Sequence, residues 1–169
     1  MVEFGAAAGL PSWAAARSGA RRVVATDQYT SEGFRALEMS AEANGTRGCS
    51  VRAAAHSWGE GVGEVTGGRP FDVAIASDCL YNPDGHRPLL ESASACLRDG
   101  GIFLVGYSLH GNVPAEAVEA FFGAAEARGF RVDGGFGIQH DVQNAAKWSG
   151  VEGRGNVYIK RLVKEPTAT

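Results

Sequence analysis

The chain has 169 residues, 44% of them hydrophobic and 21% charged, with a formal net charge of −3. That length suits one domain burying roughly two-thirds of its unfolded surface, and the composition is that of a soluble globular protein rather than a disordered or disulfide-framed one. The charge gives no support to a nucleic-acid partner, the apolar runs are too short to span a bilayer, and the first residues form no leader. A cytosolic or nuclear protein working away from membranes is therefore the default, and a cytoplasmic monomer is the expectation.

Taken in chain order, Val2 to Phe4 read as the end of a strand, and Gly5 to Gly9 as a turn into a helix whose first turn holds Pro11, where a missing N–H is harmless. RRVVATD is a β-branched strand ending in Asp27. Thr30 and Ser31 are candidate caps for a helix with Phe34, Leu37 and Ala41 on one face, stopped by Asn44-Gly45. CSVRAAAH reads as a third strand, and GEGVGEVTGGRP, which lacks apolar periodicity, as a loop.

FDVAIASD forms the fourth strand, and Pro83 to Arg98 a helix with Leu89, Leu90, Ala93 and Leu97 facing inward, ended by RDGG. IFLVGYS is a continuous apolar run of the kind a buried parallel strand shows. Pro114 to Arg128 follows as a helix closed by Gly129, and FRVDGGFGI and NVYIKRLV as two closing strands. Alternating strand and helix predict an α/β fold, a doubly wound, mostly parallel Rossmann-like sheet filling residues 1–163, with a frayed tail over 164–169.

In such a sheet ligands lie at the carboxyl ends of the strands, where the strand order reverses. Gly5 and Gly9 permit positive φ and close approach of a ligand to the backbone, and the helix start offers free N–H donors. Asp27, at the end of the neighbouring strand, can accept both hydroxyls of a ribose. The turn with this acid about twenty residues on marks a nucleoside-bearing cofactor site; the bland alternative is a simple tight turn beside a solvated strand end. A dinucleotide fingerprint wants glycines at the first, third and sixth positions, which here hold Gly5, Ala7 and Leu10.

Cys49, Cys79 and Cys96 are odd in number and far apart, and His56, His86, His110 and His140 have no ligand spacing, so neither a disulfide frame nor a metal site is expected.

EFGAAAGLPS, VVATD, HSWGE and SDCLYN together resemble the lysine methyltransferase-like branch of class I S-adenosylmethionine-dependent methyltransferases, nearest the fungal elongation factor 1-alpha N-terminal and lysine methyltransferase group. The resemblance runs from Val2 to about Val163. It implies an antiparallel final strand and S-adenosylmethionine as cofactor, with Glu3, Gly5, Ala7 and Gly9 at its methionine end, Asp27 on the ribose, Trp58 on the adenine, and Ser77 in the same set. Ala7 stands where that family has a middle glycine. Trp58 has the alternative of a core residue at the sheet edge.

Asp78 and Tyr81 match the family's Asp-x-x-Tyr signature, which implies that they are the catalytic pair orienting a substrate amine; Asn82 beside them, and His110 in SLHGN just past the fifth strand on the substrate side of such sheets, are expected substrate contacts. For Asp78 the alternative is a helix cap before Pro83. The implied substrate is a protein amine, a lysine or an N-terminus, such as one on a translation elongation factor. A small amine, a non-catalytic binding module and a nicotinamide-dinucleotide oxidoreductase are the competing readings. Family members carry an upstream segment whose helices lid the cofactor and supply another tryptophan, so the resemblance implies a first strand that is incomplete and a missing lid.

Overall fold

A computed structural model describes residues 1–29, 33–109, 113–133, 140–141 and 156–166. The order of elements is β1 (Val2–Phe4), α1 (Leu10–Arg17), β2 (Arg22–Asp27), α2 (Gly33–Ala43), β3 (Ser50–Ala55), α3 (Gly63–Thr66) and β4 (Phe71–Ser77). A 3₁₀ turn (Pro83–Gly85), α4 (His86–Cys96), β5 (Leu97–Tyr107), α5 (Ala115–Glu126), β6 (Phe130–Asp133), β7 (His140–Asp141) and β8 (Asn156–Lys164) follow.

The strands lie in the order β3-β2-β1-β4-β5-β8-β6, and the two-residue β7 also pairs with β8. β1 to β5 are mutually parallel where they pair, while β8 runs antiparallel to β5 and β6 antiparallel to β8. The predicted doubly wound sheet with an antiparallel end is therefore present. The order reverses at β1, which lies between β2 and β4.

Short as it is, β1 sits at the centre of the core: Val2 and Phe4 are fully buried, with Phe4 edge-on to Phe103 at 6.4 Å. Val2, Phe4, Val65, Leu89, Leu90, Phe103, Phe121 and Leu162 belong to a large apolar cluster that α3, α4 and α5 share with the sheet. Ala6, Trp13, Ala25, Phe34, Leu37 and Ala41 form a second, smaller one that takes in α1 and α2. Alternate residues of one strand feed the two layers, as Val24 and Ala25 of β2 do.

Four sequence readings change. The loop expected over GEGVGEVTGGRP contains the one-turn helix α3, anchored because Val65 is buried in the large cluster. The helix expected over Pro83 to Arg98 breaks into a 3₁₀ turn and α4, and RDGG lies inside β5. Leu97 already pairs with Phe71, the ladder slips before Ile102 meets Val73, and Gly100 with φ 72° turns the backbone through the slip. β8 extends through Lys164, whose ammonium donates to the Ser94 and Leu97 carbonyls at 2.9 Å, so residue 164, expected in the tail, belongs to the sheet. Of FRVDGGFGI only Phe130–Asp133 lies among the described residues, as strand; Thr30 and Ser31 lie outside them.

Candidate functional site

At the strand-order reversal the carboxyl ends of β1, β2 and β4 converge on a cleft of about 360 Å³, near the lower end of the roughly 300–1,000 Å³ usual for small-molecule sites. Larger hollows of about 500 and 630 Å³ lie along α2 with β3 and at the opposite end of β1 and β4, away from the converging strand ends. Gly5, Ala7, Asp27 and Trp58 line one part of the cleft, and Ser77, Asp78 and Tyr81 another. Seven of the expected site residues are thus brought together.

The turn after β1 is shaped by its own backbone. Gly5, Ala7 and Gly9 have φ of 62°, 46° and 76°, a left-handed conformation in which only Ala7 carries a side chain. Ala7 N–H donates to Asp27 Oδ2 at 2.7 Å and Gly9 N–H to the Ala6 carbonyl at 2.6 Å, which hold this shape. The Ala7 methyl is exposed, so the alanine in place of glycine is accommodated without a clash inside the protein. Asp27 Oδ1 also accepts from Gln28 N–H at 2.7 Å; a carboxylate oxygen can accept more than one hydrogen bond, and Asp27 lines the cleft.

Glu3 and Gly9 act behind the turn rather than in the lining. Glu3 is 2% exposed, and its Oε2 accepts from Ser12 N–H at 2.9 Å in the first turn of α1, where free N–H donors favour a carboxylate. Burial pushes its carboxyl up to about 7, against the lowering effect of the Ser12 hydrogen bond. A Cβ at Gly9 would fall 2.3 Å from the Trp13 ring, whose Nε1 donates to the Ala8 carbonyl at 2.7 Å. This glycine is required by an indole of the same chain.

Trp58 is half-buried, packed against the large cluster, and seated between two glycines: Cβ atoms at Gly5 and Gly85 would lie 3.3 and 3.1 Å from its ring. Trp58 also lines the cleft, so the ring that packs on the core borders the open space as well. Gly85 carried no sequence signal for this role, since its neighbour is brought in by tertiary packing.

On the other wall, Asp78 has φ 58°, and its N–H donates to the Gly106 carbonyl at 2.8 Å. Ser77 and Asp78 are exposed, and Tyr81 is 53% exposed. The cap of the following 3₁₀ turn is Asn82, whose Oδ1 accepts from Asp84 N–H at 3.1 Å, so the capping role weighed for Asp78 belongs to Asn82. Asn82 does not line the cleft. His110 lies outside the described residues.

Sequence reasoning missed Gln28 and Cys79 in the lining. Cys79 is 4% exposed, its thiol directed at the Phe4 carbonyl at 3.4 Å, and burial pushes it up to about 12, aided by Asp78, Glu3 and Asp27. It is an inert wall, and of the carboxylates that add to this shift two, Asp27 and Asp78, line the cleft, a negative lining suited to a cationic ligand. Among the described residues no group of His, Cys, Asp and Glu could hold a metal ion, and no helix is long and apolar enough to cross a membrane.

A model of the lysine methyltransferase family matches residues 1–127. A protein N-terminal and lysine N-methyltransferase of Schizosaccharomyces pombe is 27% identical over 141 residues, covering 79% of this chain and 55% of that protein. One of the same name from Yarrowia lipolytica is 28% identical over 160 residues, covering 83% and 59%. The chain therefore spans little more than half the length of these relatives. Among solved structures, a TehB-like S-adenosylmethionine-dependent methyltransferase from Corynebacterium glutamicum superposes with a TM-score of 0.67 at 14% identity, over 97% of this chain and 79% of that one.

Proposed function

Because the chain belongs to the lysine methyltransferase family, we propose that it transfers a methyl group from S-adenosylmethionine to a protein amine, a lysine or an N-terminal amine. The observation that carries this reading is the convergence of Gly5, Asp27 and Trp58 with Asp78 and Tyr81 in one cleft. The relatives named above are protein N-terminal and lysine methyltransferases, which favours a protein substrate, such as a translation elongation factor, over a small amine. We read the working form as a cytoplasmic monomer.

The residues fit the cofactor by their chemistry. Asp27 offers acceptors for ribose hydroxyls, the indole of Trp58 a flat face for a base, and glycine at position 5 a backbone that a ligand can approach. Glu3 and Gly9 support this wall from behind, and Ser77 would meet the cofactor from the opposite one. When bound, the cofactor would supply a methyl group on a positively charged sulfur, and the carboxylates of Asp27 and Asp78 in the lining would favour that charge.

Asp78 would accept hydrogen bonds from the incoming amine and draw it in; Tyr81 would present its ring or hydroxyl to the ammonium as charge develops. Their work is orientation: holding a neutral amine with its lone pair toward the methyl carbon replaces a chance encounter by an in-line approach. Asn82 positions this segment by capping the 3₁₀ turn, and His110 would contact the substrate.

The test is transfer of labelled methyl to purified elongation factor 1-alpha and to a panel of small amines, with Asp78→Ala alongside. We expect label on the protein, lost in Asp78→Ala while cofactor affinity stays within about twofold. Label only on small amines would replace the substrate reading; equal loss of turnover and affinity would remove the role given to Asp78.

A further inference from the structure

Trp58 belongs to neither a helix nor a strand, yet the cleft depends on where its ring lies. The segment that carries it is fastened on both sides. At its start, His56 N–H donates to the Asp27 carbonyl at 2.9 Å, so the segment leaves from the residue assigned to the ribose. At its end, Gly59 N–H donates to Ser92 Oγ at 2.9 Å.

The same hydroxyl lies 2.9 Å from His56 Nε2. Ser92 and His56 are 1% and 5% exposed, on α4 and after β3 respectively, and the imidazole rests against the Phe4 ring with centroids 6.0 Å apart. Burial lowers the proton affinity of His56, so at neutral pH it is the uncharged ring that meets Ser92. A buried serine on α4 thus bridges both sides of the tryptophan, although it does not line the cleft.

Resting on the reading of Trp58 as the adenine platform, we propose that Ser92 and His56 form a buried latch that sets the position of the Trp58 indole, and that Ser92 is a positioning residue for the nucleoside half of the cofactor. Without the Ser92 hydroxyl, Gly59 N–H and His56 Nε2 lose a shared partner, and the segment between them is free to carry the indole off its seat between Gly5 and Gly85.

The test is a double-mutant cycle in the full chain, reading the affinity for S-adenosylhomocysteine by calorimetry. Ser92→Ala should weaken binding roughly tenfold in the parent, the scale of one or two buried hydrogen bonds, and less than twofold in a Trp58→Ala background. His56→Ala should behave like Ser92→Ala, and His56→Gln, whose amide reaches the place of Nε2, should recover most of the loss. A loss of equal size in both backgrounds, or none in the parent, overturns the latch.

Fluorine NMR of 5-fluorotryptophan-labelled protein, with the Trp58 signal identified by its loss in Trp58→Phe, reads the ring without ligand. Ser92→Ala should shift or broaden that resonance; an unchanged one overturns the latch even if no ligand binds. If the parent fails to bind the ligand, the functional reading and the claimed effect on affinity both fall, while the resonance still decides whether Ser92 fixes the indole. If the parent binds and Trp58→Ala binds equally well, the adenine platform falls, and the role of Ser92 in affinity with it.

Discussion

The wall of the cleft that carries Gly5, Ala7 and Asp27 is fixed by hydrogen bonds to the Asp27 carboxylate and within its own turn, whereas the wall that carries Ser77, Asp78 and Tyr81, tied to β5 through Asp78 N–H, presents exposed side chains. On the first wall the fixed geometry belongs to the chain itself: Asp27 holds Ala7, Glu3 holds the start of α1, and the Trp13 indole fills the space behind Gly9. On the second, the Tyr81 phenol and the Asp78 carboxylate lie at the surface. A rigid wall suits a ligand of constant shape; an open one suits an amine delivered on a larger molecule.

That contrast predicts that damage to the first wall is read mainly as stability and damage to the second mainly as turnover. The largest effect is expected for Gly9→Ala. Its methyl would strike the Trp13 ring in a backbone conformation that alanine resists, and overpacking together with the left-handed penalty should destabilise the fold by roughly 3–4 kcal/mol. Chemical denaturation monitored by circular dichroism measures this, and a loss under about 1 kcal/mol would mean that the turn is not rigid.

Next comes Glu3→Gln. The folded-state carboxyl is raised to about 7 from an ordinary value of 4.5; the protonated form is the one the fold prefers, so its stabilising effect is full below pH 4.5 and is lost as pH rises through about 7. Glutamine keeps an acceptor for Ser12 N–H without the buried charge. At pH 8 Glu3→Gln should exceed the parent in stability by about 2–3 kcal/mol, and the gap should close towards pH 4.5. A gap independent of pH, or a destabilised variant at pH 8, would contradict the buried-carboxyl account.

The smallest effect is expected at Asp78, on the open wall. Because its φ is 58°, Asp78→Gly should be more stable than Asp78→Ala by about 1 kcal/mol, while both lose turnover. Equal stabilities would show that the backbone there relaxes, and turnover retained in either would remove Asp78 from the chemistry.

Much of this was legible in the sequence. Gly5 and Asp27 could be placed because residue type carries backbone conformation and charge, and strand-helix alternation then dictates where the strand ends meet. The position of Tyr81 and Asp78 at the end of β4 followed in the same way. What could not be read depended on contacts between distant segments. Nothing local to Gly85 or Ser92 shows that one seats Trp58 and the other bridges its segment. Gly9 has the spacing of a ligand-binding glycine yet makes room for Trp13, and Glu3 reads as a cofactor contact yet is sealed behind the turn. The α3 turn was hidden because a single buried apolar residue, Val65, anchors it, too few to give a period. The slip in β5 follows from the pairing of Leu97 with Phe71, which a glycine-rich RDGG disguises as a helix stop.

The most direct measurement of the central claim is calorimetric titration of the folded chain with S-adenosylmethionine and S-adenosylhomocysteine, with NAD as the control. The account predicts saturable one-to-one binding of both sulfur ligands, much weakened by Asp27→Ala, and none of NAD. Binding of NAD in their place, or no binding of either sulfur ligand to a sample shown to be folded, would contradict it.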